Sequence, residues 1–428
     1  MQVPLPVDLP RNPDAAFAAL ARAPHPFWLD SGDRPTPHGR WHLLGLASSR
    51  WLRVSEEDPF PELRAFLSAL PPGEPTPVPA ARVVGYLAYD CGRFLERLPD
   101  PGPRNGLDEA AFAAIDACVT YDLATGGAWL TAMDDAAADD LCRALRAPPI
   151  EDARGPLSHG VPRPGATEAE YAAEVAAVRE RIAAGEVYQV NLSHRFTSRL
   201  SPGVAPAALY RRLREQHPAP FGAFLDTGKA ALVSNSPEGF LSVDLGDRHV
   251  ATWPLKGTRP RSTPPDELLA DPKDRAEHVM IVDLERNDFG RVAVPGSVRV
   301  PALLEVVTHS TVHHLESRVE ATLRPGIDLV DVLAATFPGG SITGAPKIRA
   351  MRIIAEMERE RRGPYCGALG AVLFGGGRSI WSLPIRTAVV TGSELELRVG
   401  GGIVADSDPR AEYAETLVKA RAFLDVLR

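Results

Sequence analysis

Lys256 is the side chain whose surroundings in the sequence best suit a nucleophile. It lies in the stretch WPLKGTRPR, between apolar residues and a Gly-Thr turn, and two arginines follow at 259 and 261. A lysine beside a Pro-Leu pair is expected to be partly desolvated, and desolvation favours the neutral amine that attacks carbon. A purely structural lysine fits the same stretch, so these residues alone leave both interpretations open.

Carboxylates one helical turn apart indicate a second kind of chemistry, the binding of a divalent cation. Glu412 and Glu415 lie three residues apart in VGGGIVADSDPRAEYAETLVKA and share one face of a predicted helix. Carboxylate oxygens are hard ligands that suit Mg²⁺. Glu277 lies among other charges in DPKDRAEHVMIVDLERNDFGRV, a predicted helix that is partly buried, so some of these charges must be paired inside the protein. Acids at such spacings are also common on solvated helices.

Groups that can hold an anion occur in three further stretches. FPGGSITGAPKIRAM leads a glycine-rich turn into a helix with Lys347 near its first turn, where free backbone N–H groups attract a carboxylate. IRTAVV places Arg386 on a predicted strand, and the run Gly400–Gly402 follows it along the chain. Glu238, in SNSPEGF, comes just after a strand and a Ser-Pro turn. Taken alone, Lys347 indicates only a capped helix and Glu238 a solvated surface acid.

The elements that must hold these groups are predicted from hydrophobic periodicity and capping signals. Thr167 and Glu170 form a capping-box pattern, and the helix that follows is expected to end near Gly185. Further helices are predicted near 274–285, 328–335, 345–360 and 411–426, and in ELRAFLSAL and AADDLCRALRA. Strands are predicted in RWHLLGLA, RVVGYLAYD, CVTYDLATGGAWLTAM, VYQVNLSHRF, AFLDTG, ALVSNS, GFLSVDL, GALGAVLF, SIWSLPIRTAVV and ELELRVGGGIV.

This mixture of elements predicts an α+β fold with mainly antiparallel sheets covered by helices. The sequence contains no Rossmann fingerprint, P-loop or repeat of 20–50 residues. The segment 147–165 is dense in Pro and Gly and is predicted to be a linker or surface loop. It separates an N-terminal α+β region, 1–146, from a C-terminal region, 166–428.

Composition excludes several classes of protein. The chain has 428 residues, of which 44% are hydrophobic and 24% charged, and no apolar run approaches the length of a membrane span. A net charge of -8 argues against a nucleic-acid partner. The first residues carry acids and prolines rather than a basic patch and an apolar stretch, so we expect a cytoplasmic protein. The four cysteines show no CxxC pairing, which favours reduced structural thiols.

The stretches in the C-terminal region, taken together, resemble the chorismate-utilising family that includes anthranilate, aminodeoxychorismate, isochorismate and salicylate synthases. The similarity runs from about Glu168 to Leu427 through the phrases GEVYQVNLSHRF, VDLERNDFGRV, GSITGAPKIRAM and GIVADSDPRAEYAET. Weaker similarity continues upstream through HPFWLDSG and VVGYLAYDCGRFLERLP. The resemblance implies a large two-layered αββα sandwich like that of anthranilate synthase component I.

The resemblance also implies a role for each group in the active site. It assigns a Mg²⁺ that holds the ring carboxylate of chorismate, and it implies the ligands Glu277, Glu412 and Glu415. It implies that the pyruvyl carboxylate is held by Tyr365, Arg386 and the backbone of Gly400, Gly401 and Gly402, with Gly257, Thr258 and Lys347 also in the substrate pocket. His314 in STVHHLES falls where the family has an active-site histidine, with His313 and His309 as neighbours. The family's usual AGAG run reads VGGG here, which is a minor departure.

Two positions distinguish between the reactions of the family. Members that add water resemble one another in having a lysine base where this chain has Gln189, and a glutamine cannot deprotonate water. Anthranilate synthases usually read PIAGT where this chain reads PLKGT, and the lysine version resembles the aminodeoxychorismate synthases. The resemblance therefore implies amination of chorismate at C4, with Lys256 forming a covalent adduct at C2 and Glu238 acting as general acid and base.

The resemblance also implies partners. None of the cysteines lies in a glutaminase-type nucleophile turn, so a separate glutamine amidotransferase is expected to supply ammonia. The N-terminal region is similar to the part that binds tryptophan in some members, with Ser31, Pro220 and Phe221 as candidate contacts and ordinary loop packing as the alternative. The rival functions are anthranilate synthase component I, which Lys256 argues against, and a non-catalytic tryptophan-binding subunit, which the intact catalytic residues argue against.

Overall fold

The computed structural model describes residues 1–36, 39–100, 102–103, 106–151, 153, 155–308 and 312–428. The helices within these residues are α1 (Pro13–Leu20), α2 (Pro59–Ala69), α3 (Gly92–Leu95), α4 (Asp135–Leu145), α5 (Glu168–Ala183), α6 (Pro206–Gln216), α7 (Pro265–Ala270), α8 (Pro272–Gly290), α9 (Leu329–Thr336), α10 (Lys347–Glu358) and α11 (Pro409–Leu427). A 3₁₀ turn at Tyr89–Cys91 precedes α3.

The strands alternate with these helices along the whole described chain. They are β1 (Gln2–Pro4), β2 (Pro26–Asp30), β3 (Trp41–Leu46), β4 (Trp51–Val54), β5 (Ala81–Leu87), β6 (Ala110–Ala114), β7 (Ala117–Asp122), β8 (Ala128–Ala132), β9 (Arg163–Pro164), β10 (Gln189–Arg199), β11 (Phe221–Asp226), β12 (Ala231–Ser236), β13 (Gly239–Asp244), β14 (His249–Thr252), β15 (Leu255–Pro260), β16 (Arg299–Thr308), β17 (Val312–Thr322), β18 (Gly344–Ala345), β19 (Ala368–Leu373), β20 (Arg378–Ser382), β21 (Thr387–Thr391) and β22 (Glu394–Ile403).

Two antiparallel sheets form the framework. Sheet one has the strand order β1-β8-β7-β3-β2-β11-β12-β21-β22-β10-β18, and β9 pairs with β10. Sheet two has the order β15-β17-β14-β13-β20-β19-β5-β6-β4, and β16 pairs with β17. The α+β fold with mainly antiparallel sheets, predicted from the sequence, is confirmed.

The side chains of sheet one alternate between two cores, as the pleat of a strand requires. On β2, Phe27 packs into the core that sheet one shares with sheet two, whereas Trp28 faces the opposite way into a core under α1, α4, α6 and α11. Leu43 and Leu44 on β3 repeat this alternation. Helices α2, α8, α9 and α10 contribute buried residues to the first core. The arrangement is the predicted sandwich of two sheets between helices.

Strands from both sides of the segment 147–165 pair with each other. In sheet one β2 pairs with β11, and in sheet two β5 pairs with β19. The N-terminal and C-terminal regions therefore share both sheets and the core between them. The division into domains at 147–165 stays a prediction.

Local predictions agree with the structure at several elements, and one failure bears directly on the site. Thr167 and Glu170 form the predicted capping box at the start of α5. The stretch SIWSLPIRTAVV, predicted as one strand, is two strands in different sheets, β20 in sheet two and β21 in sheet one. The prediction was wrong because Pro384, which cannot donate to a ladder, and Arg386, at φ 50°, redirect the chain between them.

The four cysteines are buried and unpaired, as expected for reduced thiols. Across the described ranges, none of the helices is both long enough and apolar enough to cross a bilayer.

Candidate active site

A β-bulge in sheet two presents Lys256. Strand β15 pairs with β17, and the register shifts between Lys256 and Thr258. Gly257, between them, has φ +62°, and a Cβ at that position would lie 2.9 Å from Leu268 Cδ1. Glycine is therefore required by both backbone conformation and space. The bulge aims the half-buried Lys256 at the carbonyl oxygen of Ser341, 3.5 Å from its Nζ.

Glu238 lies between β12 and β13 and is only 5% exposed, so its interpretation as a surface acid is wrong. Among the described residues, its Oε1 has no hydrogen-bond partner. Burial raises the pKa of Glu238 to about 7, against the opposing effects of the Ser341 hydroxyl and the charges of Lys256 and Arg386. A carboxyl with this pKa can both donate and accept a proton near neutral pH.

Ser341 links these two residues. Its carbonyl oxygen faces Lys256, and its buried hydroxyl lies close enough to Glu238 to affect the pKa of that carboxyl. The sequence analysis quoted the motif FPGGSITGAPKIRAM but did not single out Ser341. The signal that could have found it is its place in the glycine-rich turn, where a serine follows two residues that carry no side chain.

His314, on β17, faces the bulge. Its Nδ1 lies 2.9 Å from the carbonyl oxygen of Gly257 and 3.1 Å from Thr258 Oγ1. Neighbouring His313 faces elsewhere, with Nδ1 2.8 Å from Thr308 Oγ1. His309 lies outside the described residues. His314 is therefore the one of the two described neighbours that contacts the Lys256 bulge, and its catalytic role stays a prediction.

Arg386 lies where the chain crosses from sheet two to sheet one, immediately before β21 rather than on a strand as predicted. In the described part of the chain its guanidinium makes no hydrogen bond or ion pair. Burial lowers its pKa, and the charge of Glu238 opposes that effect. Tyr365 is brought near this crossing because the amide of Cys366 donates to the carbonyl of Pro384 at 3.3 Å. A partly buried arginine without a partner is suited to receive a carboxylate.

The glycine run lies on an open strand edge beside Arg386. Strand β22 pairs with β10 through Gly400, Gly401 and Gly402, but its pairing with β21 ends at Arg398. Along the described chain, no strand pairs with the other edge of this run. Lys419 Nζ donates to the carbonyl oxygen of Gly400 at 2.8 Å, so the N–H groups of the run are the backbone groups that can meet a carboxylate. A Cβ at Gly400 would overlap the carbonyl of Leu192, which explains the glycine.

Gln189 lies at the same end of the sheet. It is fully buried on β10, and neither its Nε2 nor its Oε1 has a hydrogen-bond partner in the part of the chain that the structure describes. A Cβ on Gly402 would lie 3.0 Å from its Nε2. A buried amide with no partner is costly and points to a ligand contact.

Three candidate metal ligands come from two helices, Glu277 on α8 and Glu412 and Glu415 on α11. Burial raises the pKa of Glu277, and the nearby charge of Glu412 raises it further. Burial also raises the pKa of Glu412, and Glu415 adds to that effect. In contrast, Lys419 holds the pKa of the exposed Glu415 below its ordinary value. Glu412 is therefore close enough to Glu277 and to Glu415 for their negative charges to interact.

The donor set suits a hard cation, but each carboxylate has a protein partner. Ser407 Oγ donates to Glu412 at 2.6 Å, Lys419 Nζ lies 2.7 Å from Glu415, and Lys273 Nζ lies 4.0 Å from Glu277. Among the residues that the structure describes, no three His, Cys, Asp or Glu side chains are arranged closely enough to hold a metal ion. Oxygen type and mutual repulsion fit Mg²⁺, and binding it requires these side chains to change partners.

Lys347 is engaged inside the protein. Its Nζ lies 2.5 Å from Asp288 Oδ2 and 2.9 Å from the carbonyl oxygen of Thr336. The structure thus places this ammonium in a bridge between α8 and the start of α10. Its predicted contact with substrate stays a prediction.

A cavity of about 230 Å³ between the two sheets is lined by all three candidate tryptophan contacts, Ser31, Pro220 and Phe221. Trp381 and Arg378 lie on the opposite wall. Ser31 Oγ donates to the carbonyl oxygen of Trp41 at 2.8 Å. The structure therefore brings these residues together, at a place separate from Lys256.

Comparison with known proteins was made on the whole sequence. The family described as chorismate binding enzyme matches residues 24–425. The chain is 43% identical over 401 positions to anthranilate synthase component 1 of Streptomyces coelicolor, with 87% of this chain and 78% of that protein covered. It is 38% identical over 457 positions to aminodeoxychorismate synthase component 1 of Salmonella typhimurium, with 99% and 98% covered.

Among solved structures, anthranilate synthase component I from Streptococcus pneumoniae superposes with a TM-score of 0.78 at 28% identity. The superposition covers 91% of this chain and 93% of that one. Proteins named anthranilate synthase component 1 and aminodeoxychorismate synthase component 1 are thus both similar to this chain along most of its length.

Proposed function

Because the chain belongs to the chorismate binding enzyme family, we propose that it aminates chorismate at C4, as component 1 of an aminodeoxychorismate synthase does. At the coarser level the protein is a chorismate-utilising enzyme of the anthranilate and aminodeoxychorismate synthase component 1 type. The observation that carries the finer proposal is the position of Lys256, whose Nζ lies 3.5 Å from the carbonyl oxygen of Ser341 and whose charge acts on the buried Glu238.

Retention of configuration at C4 requires two displacements. In the first, the neutral amine of Lys256 attacks C2 of chorismate, the ring double bond shifts, and the C4 hydroxyl leaves. Glu238, protonated at the start, gives its proton to the departing oxygen, so water is released. The pKa of Glu238, about 7, supplies a useful fraction of the protonated form at neutral pH.

In the second displacement ammonia attacks C4, the double bond shifts back, and the amine of Lys256 leaves C2. The new C4 ammonium group gives one proton to the carboxylate of Glu238, which restores the starting state. The overall change is chorismate plus ammonia to 4-amino-4-deoxychorismate plus water. Glu238 thus serves both steps, which Lys256 alone cannot do.

Substrate is held at its two carboxylates. Arg386, with no protein partner in the described chain, and the open edge at Gly400–Gly402 are proposed to bind the pyruvyl carboxylate. Tyr365, Gly257 and Thr258 complete this pocket. Glu277, Glu412 and Glu415 are proposed to hold a Mg²⁺, which would fix the ring carboxylate and withdraw negative charge.

The nitrogen source is proposed to be a separate glutaminase. All four cysteines are buried and unpaired, and none lies in a nucleophile turn. The product would be converted to 4-aminobenzoate by another enzyme on the way to folate. Tryptophan is proposed to occupy the cavity lined by Ser31 and Phe221, as a ligand of the fold.

Anthranilate synthase component 1 is the second candidate, and the 43% identity to the Streptomyces coelicolor protein favours it. An anthranilate synthase would add ammonia at C2 and eliminate pyruvate. In our proposal C2 is instead the carbon that Lys256 attacks, so a lysine at this position argues against that reaction. A non-catalytic subunit is disfavoured because Glu238, Arg386 and the carboxylates are all present.

A product assay tests the proposal. Purified protein is incubated with chorismate, MgCl₂ and ammonium chloride, and the products are analysed by mass spectrometry before and after addition of a lyase that releases 4-aminobenzoate. We expect 4-amino-4-deoxychorismate, and 4-aminobenzoate only when the lyase is present. Anthranilate fluorescence without added lyase would contradict the proposal and support the second candidate. If the protein binds tryptophan but converts no chorismate, the result would support the non-catalytic tryptophan-binding subunit.

A further inference from the structure

The bulge at Gly257 determines which side chains of β15 share a face with Lys256. Lys256 pairs with Leu315 on β17, and Arg259 pairs with His313 on the same strand. Side chains two residues apart on a strand point to the same face, so Lys256 and Arg259 lie on one face of sheet two. Without the extra residue of the bulge, positions 256 and 259 would point to opposite faces.

Helices α7 and α8 pack against the bulge. A Cβ at Gly257 would lie 3.3 Å from Asp274 Cγ, in the first turn of α8, and 2.9 Å from Leu268 Cδ1 on α7. The carbonyl oxygen of Gly257 is 2.9 Å from Nδ1 of His314 on β17. The backbone next to Lys256 is therefore in contact with two helices and with the neighbouring strand.

Arg259 joins the bulge to the start of α8. Its Nη2 donates to Asp271 Oδ2 at 2.8 Å and lies 2.8 Å from Asp274 Oδ2, and its Nη1 donates to the carbonyl oxygen of Thr258 at 3.1 Å. Asp271 uses its other oxygen, Oδ1, to cap α8 by accepting from two backbone N–H groups of the first turn. One guanidinium thus connects β15 to a carboxylate that also caps the helix.

These contacts affect the geometry of the bulge more than the stability of the fold. The side chains of Arg259, Asp271 and Asp274 are 32%, 31% and 19% exposed, and partly exposed ion pairs contribute little to the free energy of unfolding. A planar guanidinium held at three points nevertheless restricts where the bulge can lie. Displacing a reacting group by about 1 Å can cost about 10²-fold in rate, so a small movement of the bulge would slow attack by Lys256.

We propose that Arg259 is a positioning residue for Lys256. Its ion pairs with Asp271 and Asp274 hold the Gly257 bulge in the conformation from which the amine attacks the substrate ring. The inference rests on the proposed function, in which Lys256 is the nucleophile. Arg259 acts only through the backbone of the bulge and contacts no reacting atom. The proposal explains why an arginine three residues from the nucleophile pairs with the start of α8.

The experiment measures formation of the Lys256 adduct and steady-state amination in the full chain. Arg259→Gln is expected to lower the single-turnover rate of adduct formation with chorismate and MgCl₂, and kcat with ammonium chloride, by about 10- to 100-fold. KM for chorismate is expected to stay within about threefold of the wild type, because the groups proposed to bind its carboxylates are not changed. Tm is expected to change little, as for other partly exposed ion pairs.

Arg261→Gln is the matched control for loss of an arginine. Arg261 is exposed, immediately follows β15, and pairs with no carboxylate among the described residues. Its removal is expected to leave kcat and KM within about twofold of the wild type, since exposed charges are screened.

Two further variants test whether the ion pairs are the cause. Arg259→Lys keeps the charge beside both carboxylates and is expected to recover much of the lost rate, although it lacks the planar fork. Asp274→Asn is expected to slow adduct formation as well. The double variant Arg259→Gln/Asp274→Asn should be no slower than the slower single variant, because both changes break the same contact.

The outcomes separate the positioning role from the proposed function. Slower adduct formation in Arg259→Gln, with KM and Tm near the wild-type values and recovery in Arg259→Lys, supports the role. A wild-type adduct rate in Arg259→Gln, an equal loss in Arg261→Gln, or losses that multiply in the double variant overturns the role and leaves Lys256 as the nucleophile. If Arg259→Gln does not fold, Asp274→Asn decides, and an unchanged adduct rate in that variant overturns the role. A wild type that aminates chorismate without forming an adduct overturns the covalent mechanism and the positioning role with it.

Discussion

Two buried groups of charges in this molecule are built in opposite ways. In the paired cluster, Glu358 accepts hydrogen bonds from Arg362 and from the backbone and hydroxyl of Ser193, and Arg398 lies 3.8 Å away. In the open cluster, Glu238 Oε1 has no partner, and Arg386 makes no ion pair in the described chain. Both clusters are buried, yet only the paired cluster satisfies its carboxylate.

The pKa values of the two acids follow from this difference. Burial alone would raise both, but in the paired cluster the charge and hydrogen bonds of Arg362, with help from Arg398, hold the pKa of Glu358 below its ordinary value. In the open cluster burial prevails and raises the pKa of Glu238 to about 7. Two nitrogens of Arg398 in the paired cluster also lack hydrogen bonds, so the difference between the clusters lies in the carboxylates: Glu358 is satisfied and ionised, whereas Glu238 is free to exchange a proton.

The largest expected effect is that of Lys256→Ala. If Lys256 forms the covalent adduct, removing it should cut kcat for C4 amination by about 10³-fold or more, since no other group offers that nucleophile. The measurement is the rate of 4-amino-4-deoxychorismate formation with ammonium chloride. Lys229→Ala is the control for loss of a lysine, because Lys229 pairs with Asp108, far from the open cluster in sequence. A rate within tenfold of the wild type would contradict the covalent mechanism.

Glu238→Gln is expected to reduce catalysis, whereas Glu358→Gln is expected to reduce stability. Glu238→Gln should lower kcat by about 10²- to 10⁴-fold, because it removes the general acid, and should leave the free energy of unfolding unchanged or raised at pH 8. Glu358→Gln should lower the free energy of unfolding by about 3–5 kcal/mol, because it leaves the buried Arg362 without its carboxylate, whereas Arg398 keeps its pairs with Glu360 and Glu396. Urea unfolding and steady-state kinetics measure both. Equal loss of stability in the two variants would break the distinction between the clusters.

The contributions of Glu238 and Glu358 to the free energy of unfolding should depend on pH in opposite directions. The folded-state pKa of Glu238 is raised from 4.5 to about 7, so its contribution to stability is full below about 4.5 and is lost as pH rises towards 7. The pKa of Glu358 is lowered, so its contribution is present above its unfolded value and is lost as the solution is acidified.

For catalysis, the reaction starts from protonated Glu238 and the neutral amine of Lys256, so the titration of Glu238 should appear as a break in the pH profile of kcat/KM near pH 7. Unfolding curves and rate profiles between pH 4 and 9, repeated with Glu238→Gln, test both statements. A profile without a break near pH 7, or a break that persists in Glu238→Gln, would argue against Glu238 as the initial acid.

The smallest expected effect is that of Arg386→Lys. Loss of the planar fork should raise KM for chorismate by about 10- to 100-fold with a smaller change in kcat. Arg362→Lys, in the paired cluster, serves as the comparison and should reduce stability rather than change KM selectively. An unchanged KM for Arg386→Lys would remove this residue from the carboxylate pocket.

Much of the fold was predictable from local signals. The strand VYQVNLSHRF corresponds to β10, the capping box of Thr167 and Glu170 located the start of α5, and the helix predicted near 411–426 corresponds to α11. Strands β15 and β17 were not predicted, because their sequences contain charged residues, histidines and a bulge instead of regular alternation. Periodicity detects strands that bury one regular face, and these strands line a site instead.

The site itself was predictable only in part. Residue types indicated a nucleophile, an anion site and a cation site. The pKa of Glu238, however, is set by its burial and by Ser341, Lys256 and Arg386, which lie far apart in the chain. The crossing of the chain from sheet two to sheet one at Arg386 could not be predicted either. The stretch around Arg386 is apolar enough that its pattern predicts one continuous strand. Long-range contacts of this kind are set by the sheets, not by local sequence.

The central claim, that Lys256 is a nucleophile, is tested most directly by trapping its adduct. The wild type is incubated with chorismate and MgCl₂ in ammonia-free buffer, quenched, digested and analysed by peptide mass spectrometry. We predict that the peptide containing Lys256 gains the mass of chorismate less one water, and that this species disappears when ammonium chloride is added before quenching. An unmodified Lys256 peptide under conditions where the same sample aminates chorismate at C4 would contradict the account.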